Sequence, residues 1–139
     1  MHRPDVSRYM TISAYAISCD QPIAAARDLM DGHGIRHLPV TQGGTVVGVV
    51  SQRDIAFLDR MPGSRVQTMT VESVMTPDPY IIAADALLED VVHHMTEHKI
   101  GSAVVVDGER LIGMFTTIDA LRALGDFLAL AADPGTAGS

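Results

Sequence analysis

The chain has 139 residues, 47% of them apolar but only 4% aromatic, with no Trp, so its core must be aliphatic and amounts to one compact domain or two small halves. Acidic residues outnumber basic ones, 17 to 10, and the net charge of -7 repels nucleic-acid backbones and anionic membrane surfaces. A lone cysteine, Cys19, excludes an intrachain disulfide, and there is neither an apolar leader nor the run of ~18 apolar residues that a membrane span needs, so a soluble cytoplasmic protein is expected.

In chain order, "VSRYMT" (Val6 to Thr11) leads to a brief strand expected over Tyr15 to Ser18. A helix follows. Asp20 or Gln21 can cap it, Pro22 suits its first turn, and Ile23, Ala26, Leu29 and Met30 recur at helical spacing until Gly32 and Gly34 stop it. "HLPV" and "TVVGVV" then flank Gln42-Gly43-Gly44 as a hairpin. Its second strand runs into "GVVSQRDI", Gly48 to Ile55, with a closing helix expected from near Asp54. Residues 59–70, which include Pro62 and Gly63, read as a linker.

The same order then returns. A strand is expected over Tyr80 to Ala83, and then a helix capped by Asp85 with Leu88, Val91, Val92 and Met95 as its apolar stripe. "SAVVV" and "RLIGMF" flank Asp107-Gly108-Glu109, a strong hairpin signal, and the second strand passes into "GMFTTIDA", Gly113 to Ala120, with the closing helix near Asp119. "LRALGDFLALAA" extends that helix as a candidate lid or dimer contact, and the tail from Asp133 is expected to fray.

Laying the chain on itself at an offset of 65 residues, with Met10 over Met75, keeps register without a gap from Val6 to Asp54. Val6/Val71, Thr11/Thr76, Tyr15/Tyr80, Asp20/Asp85, Met30/Met95, Gly48/Gly113 and Asp54/Asp119 are among the identical pairs, so the chain is a tandem repeat. Residues 1–58 form the first copy, 59–70 the linker, 71–124 the second copy and 125–139 a helical extension with its tail. Each copy reads β-α-β-β-α, an α+β fold. A unit this small leaves one sheet face uncovered, so the copies are expected to pack sheet to sheet about a pseudo-twofold axis, with two related clefts.

The doubled motif carries the chemistry. Ser51 or Thr116 ends an apolar strand, and Asp54 or Asp119 follows three residues later, close to one helical turn, so hydroxyl and carboxylate can converge on one group. An ionised Asp only accepts while a hydroxyl donates and accepts, a combination that fits a vicinal diol such as a ribose 2'- and 3'-OH. The competing reading is a plain helix N-cap, and the two are compatible.

At these residues a resemblance becomes specific. "YMT" and "VMT", "GIRHLPV" and "KIGSAVVV", "GVVSQRDI" and "GMFTTIDA" make both copies similar to CBS domains, named after cystathionine beta-synthase, and residues 6–124 resemble a stand-alone CBS pair, or Bateman module. The resemblance implies a βαββα fold per copy, a homodimer, and clefts between the copies that bind an adenosine-containing ligand such as AMP, ADP, ATP or S-adenosylmethionine. It implies that Ser51 with Asp54, and Thr116 with Asp119, hold ribose. It also implies an apolar adenine slot, Ile17 with Val49 in one copy and Ile82 with Met114 in the other, against the alternative that all four are ordinary core. For phosphate it points to Arg36, with His37 beside it; the second copy has Gly101 and Ser102 there. Arg53, about 100 degrees around the helix from Asp54, is expected to look across toward the Asp119 site, while its counterpart, Ile118, offers the Asp54 site no charge.

Other candidates carry less. His93, His94 and His98, with Asp90 or Glu97 near, could bind a divalent metal, against a solvated helix face. Gly48 and Gly113 inside strands suggest close approach of backbone or ligand, or a tight helix contact. Met30, Met95 and Cys19 read as core. The expected function is a non-enzymatic regulatory module that needs no cofactor, binds an adenine nucleotide and acts on an unknown partner protein; the alternative is a structural dimerisation scaffold.

Overall fold

The computed structural model describes residues 3–63 and 66–132; the tail from Asp133, expected to fray, and Ser64 and Arg65 of the linker lie outside the described residues. In chain order the elements are β1 (Thr11–Ile12), β2 (Ile17–Ser18), α1 (Ile23–His33), β3 (His37–Gln42), β4 (Thr45–Ser51), α2 (Gln52–Asp59), β5 (Thr76–Pro77), β6 (Ile81–Ala83), α3 (Leu88–His98), β7 (Ser102–Asp107), β8 (Arg110–Thr116) and α4 (Thr117–Ala132). Single turns of 3-10 helix, Val6–Arg8 and Val71–Ser73, precede β1 and β5. The α+β class and the βαββα order of each copy are present, each copy being preceded by a two-residue strand that its sequence does not announce.

The chain divides into two compact units, and they are not the two copies. One holds Met1–Ala14 with Tyr80–Ser139, the other Tyr15–Pro79. Their sheets run β1-β8-β7-β6 and β2-β3-β4-β5, so each copy's lead-in strand completes the sheet of the other copy. Strand direction explains the exchange. β2 is parallel to β3, while β5 and β3 both run antiparallel to β4, so a strand in the β5 place is parallel to β2. Had β1 taken that place beside its own β4, it would have had to join the parallel β2 at the opposite edge through only Ser13 to Ala16. Parallel strands need a crossover of a dozen or more residues.

The lead-in segments also cap helices. The Ile23 N–H donates to the Met69 carbonyl at 3.1 Å and the Leu88 N–H to the Pro4 carbonyl at 3.0 Å, equivalent bonds in the two units. The N-caps are accordingly Pro22 and Leu87, without side-chain cap bonds, and not Asp20, Gln21 or Asp85 as the sequence suggests. Main-chain carbonyls from a distant segment have taken the orphan donors. At the other end, α1 runs through Gly32, and Gly34 alone stops it, in the left-handed region at φ 62°. Lys99 holds the equivalent place on α3 at φ 54°, where a side chain is strained.

Each sheet buries one face under its own helices. In the Tyr15–Pro79 unit Ile17, Leu38, Val40 and Val50 meet Ile23, Ala26 and Met30 of α1 and Ile55 of α2. In the other unit Val6, Ile82, Ala103, Val105 and Phe115 meet Leu88, Val91 and Met95 of α3 and Ala123 of α4. Met30, Met95 and Cys19 are core, as expected.

Candidate functional site

The first motif lies at the turn from β4 into α2. Ser51 is extended and its Oγ accepts the Asp54 N–H at 3.1 Å, an N-cap bond that turns the strand sharply into the helix. The next donor, the Gln52 N–H, goes to the Arg36 carbonyl at 2.8 Å, which fixes the start of β3 beside the turn. His37 stands directly opposite Ser51 across β3 and β4. Asp54 is half-buried, and among the described residues nothing donates to its carboxylate. Arg36 and Arg53 are exposed, and Arg53 belongs to a different unit from Asp119, which it was expected to serve.

The second motif, from β8 into α4, has the same sequence pattern and another geometry. Asp119 is only 2% exposed. Its Oδ2 accepts the Thr116 N–H at 2.9 Å and the Thr116 hydroxyl at 3.3 Å; its Oδ1 accepts the Thr11 hydroxyl at 3.1 Å and Arg122 Nη2 at 2.8 Å. The same Nη2 reaches the Tyr9 carbonyl at 2.7 Å, and the Tyr9 hydroxyl donates to Asp126 at 2.8 Å. Thr116 and Asp119, expected to face a sugar together, are bonded to each other in this structure. A buried carboxylate must be satisfied, and this one is satisfied by its own unit.

The two turns therefore use opposite halves of one capping box. In the first, the cap hydroxyl takes the helix N–H; in the second, the carboxylate reaches back to the cap N–H. Among the described residues, only the first leaves its carboxylate unspent.

For the apolar slot, the strand register separates the two residues of each expected pair. Ile17 pairs with Val40, which pairs with Gly48, while Val49 belongs to the neighbouring row with Pro39 and Thr76. Successive residues of a strand point to opposite faces, so Ile17 and Val49 cannot line one slot. The same holds for Ile82, in the row of Val105 and Gly113, and Met114, in the row of Val104 and Thr11. Ile17 and Ile82 are core under the helices. Val49 lies on the other face with His37 and Ser51, Met114 with Ser102 and Thr116.

On α3, His94 and His98 take part in ring contacts. The Tyr80 and His94 rings lie 4.0 Å apart, and His94 and His98 4.2 Å apart. Among the described residues no group of three His, Cys, Asp or Glu could hold a metal. In the other unit Tyr15, the counterpart of Tyr80, stacks on His33, the counterpart of His98, at 3.8 Å. Tyr15, Tyr80, His33 and His98 are all related by the 65-residue offset, a signal that comparing the two copies alone could have found. Hollows of about 160 Å³ beside Arg27, Gln52, Ile55 and Asp59, and about 140 Å³ beside Val92, Met95, Thr117 and Ala120, lie on the helical side of the sheets and include neither motif carboxylate.

Comparison with known proteins adds the following. The family model described as CBS domain matches residues 6–59 and 71–126. CBS domain-containing protein YhcV of Bacillus subtilis is 31% identical over 130 residues, covering 94% of this chain and 87% of its own length. Inosine-5'-monophosphate dehydrogenase of Korarchaeum cryptofilum is 34% identical over 104 residues, 74% of this chain, and the chain spans 21% of that protein's length. Among solved structures, CBSX2 in complex with AMP is similar at a TM-score of 0.71 and 26% identity, over 88% of this chain and 97% of that one.

Proposed function

The chain belongs to the CBS-domain family, and from that premise we propose that it is a non-enzymatic regulatory module that binds AMP, ADP, ATP or S-adenosylmethionine and conveys occupancy to a partner protein. The observation that carries the proposal is the half-buried Asp54 carboxylate, which has no donor among the described residues and comes one turn after Ser51, whose side chain shares a sheet face with Val49 and His37. It is an acceptor awaiting donors, and a ribose diol supplies two. Arg36, exposed and just before β3, is the residue we assign to phosphate. The AMP bound to CBSX2 supports the choice of ligand class. A homodimer in the cytoplasm belongs to the same reading; among the described residues no helix is long and apolar enough to cross a membrane.

Calorimetric titration with AMP, ADP, ATP and S-adenosylmethionine tests the proposal. A ligand at about 100 times its Kd stabilises a fold by about 2.7 kcal/mol, which a melting curve resolves. No heat and no melting shift with any of the four would remove the ligand-binding reading. It would leave a structural dimerisation scaffold, which the apolar exposure of α4 at Ile118, Leu121, Leu124 and Leu128 favours.

A further inference from the structure

Arg122 and Phe57 hold the same place in the repeat, 65 residues apart and three residues beyond the motif aspartate. We propose that Arg122 makes the chain a one-site receptor: its guanidinium is a resident competitor that closes the second motif to sugar hydroxyls, while Phe57 leaves the first motif open. The inference rests on the ribose reading of the motif given above.

The geometry of the second motif supports it. An ionised carboxylate offers about four acceptor positions. At Asp119 they meet the Thr116 N–H, the Thr116 hydroxyl, the Thr11 hydroxyl and Arg122. A sugar diol must therefore displace one of them, and the Arg122 bond is charge-assisted, roughly twice as strong as the neutral bond a hydroxyl would make in its place. Arg122 is also anchored from behind, since the Nη2 that holds Asp119 donates to the Tyr9 carbonyl. At the first motif the residue in that position is Phe57, 64% exposed and without a charge to offer Asp54. Thr76, the counterpart of Thr11, is paired with Val49 in the sheet and makes no hydrogen bond to Asp54 among the described residues. Arg122 itself is 58% exposed at its side chain, so its removal empties a surface position, and the Asp119 carboxylate keeps its Thr11 and Thr116 donors.

Exchanging the two residues tests the idea. Adenosine is titrated beside AMP, because an arginine also attracts phosphate and adenosine isolates the sugar. The wild-type chain is expected to bind one equivalent per chain. Arg122→Phe should add a second equivalent, its affinity raised about ten- to a hundredfold over the wild-type second motif. Phe57→Arg, a change at an exposed position that the fold tolerates, should lower adenosine affinity at the first motif by a similar factor and keeps the test decisive should Arg122→Phe fail to fold. Two equivalents in the wild type, one equivalent in a folded Arg122→Phe chain, or undiminished adenosine binding by Phe57→Arg overturns the one-site proposal while sparing the ligand-binding reading. Absence of binding in the wild type and both variants overturns the two together.

Discussion

Asp54 and Asp119 show how strongly surroundings decide the role of one residue type. Asp119 is a structural anion that ties Thr11, Thr116 and Arg122 together. Asp119→Ala removes the common acceptor of all three, and a loss of about 1–3 kcal/mol is expected, read as a fall in melting temperature. Asp54→Ala is expected to act on affinity, weakening nucleotide binding about tenfold or more by calorimetry. Tyr9 adds a pH effect. Its hydroxyl donates to Asp126, and losing that bond to a carboxylate holds its pKa above 10.0; burial, with Asp90 nearby, does the same for Tyr80. A raised folded pKa means that the native state keeps the proton longer than the unfolded chain. The stabilisation is complete below pH 10 and is lost as pH climbs through the folded values. Tyr9→Phe should therefore flatten the alkaline limb of a stability-against-pH curve, leaving the part due to Tyr80.

At the scale of elements, the exchanged lead-in strands explain two glycines. A Cβ on Gly113 would fall on the Thr11 carbonyl oxygen, with Ile12 Cα 3.2 Å away; at Gly48 it would meet Met75 Sδ at 2.6 Å and the Thr76 carbonyl at 2.8 Å. Close approach of backbone, one of the alternatives read from the sequence, is what these positions serve. Gly113→Ala meets only main chain, which cannot move aside, and is expected to cost about 1–3 kcal/mol, more than Gly48→Ala, where the nearest atom belongs to the flexible Met75 side chain and only the Thr76 carbonyl must shift. Urea denaturation of the two variants checks the ranking. Lys99 gives the opposite case. It ends α3 in the left-handed conformation that glycine adopts at Gly34, and Lys99→Gly is expected to stabilise by about 0.5–1 kcal/mol in the same assay.

At the scale of the whole molecule, each compact unit borrows its lead-in from the other copy. Val6 is fully buried in the core that Ile82, Phe115 and Ala123 build, and Val71 is fully buried in the core of the first copy. Removing residues 1–14 should then damage the unit of residues 80–139, stripping it of Val6, of the Thr11 bond to Asp119 and of an edge strand; hydrogen exchange should show α3 and α4 losing protection first.

The sequence by itself determined the repeat, its α+β order, the hairpins and the aliphatic core, because 2.0- and 3.6-residue periodicity and turn chemistry are local and were written twice at a fixed offset. It also named the motif aspartates. Only the tertiary structure decided that the lead-in strands are exchanged, that Ile17 and Val49 face apart, and that Asp119 is spent where, among the described residues, Asp54 is not. Those outcomes depend on pairing between segments some hundred residues apart, such as Thr11 with Asp119, and on which neighbour arrives at a carboxylate once the chain has closed. No local spacing encodes that, since two motifs with the same pattern reached different ends.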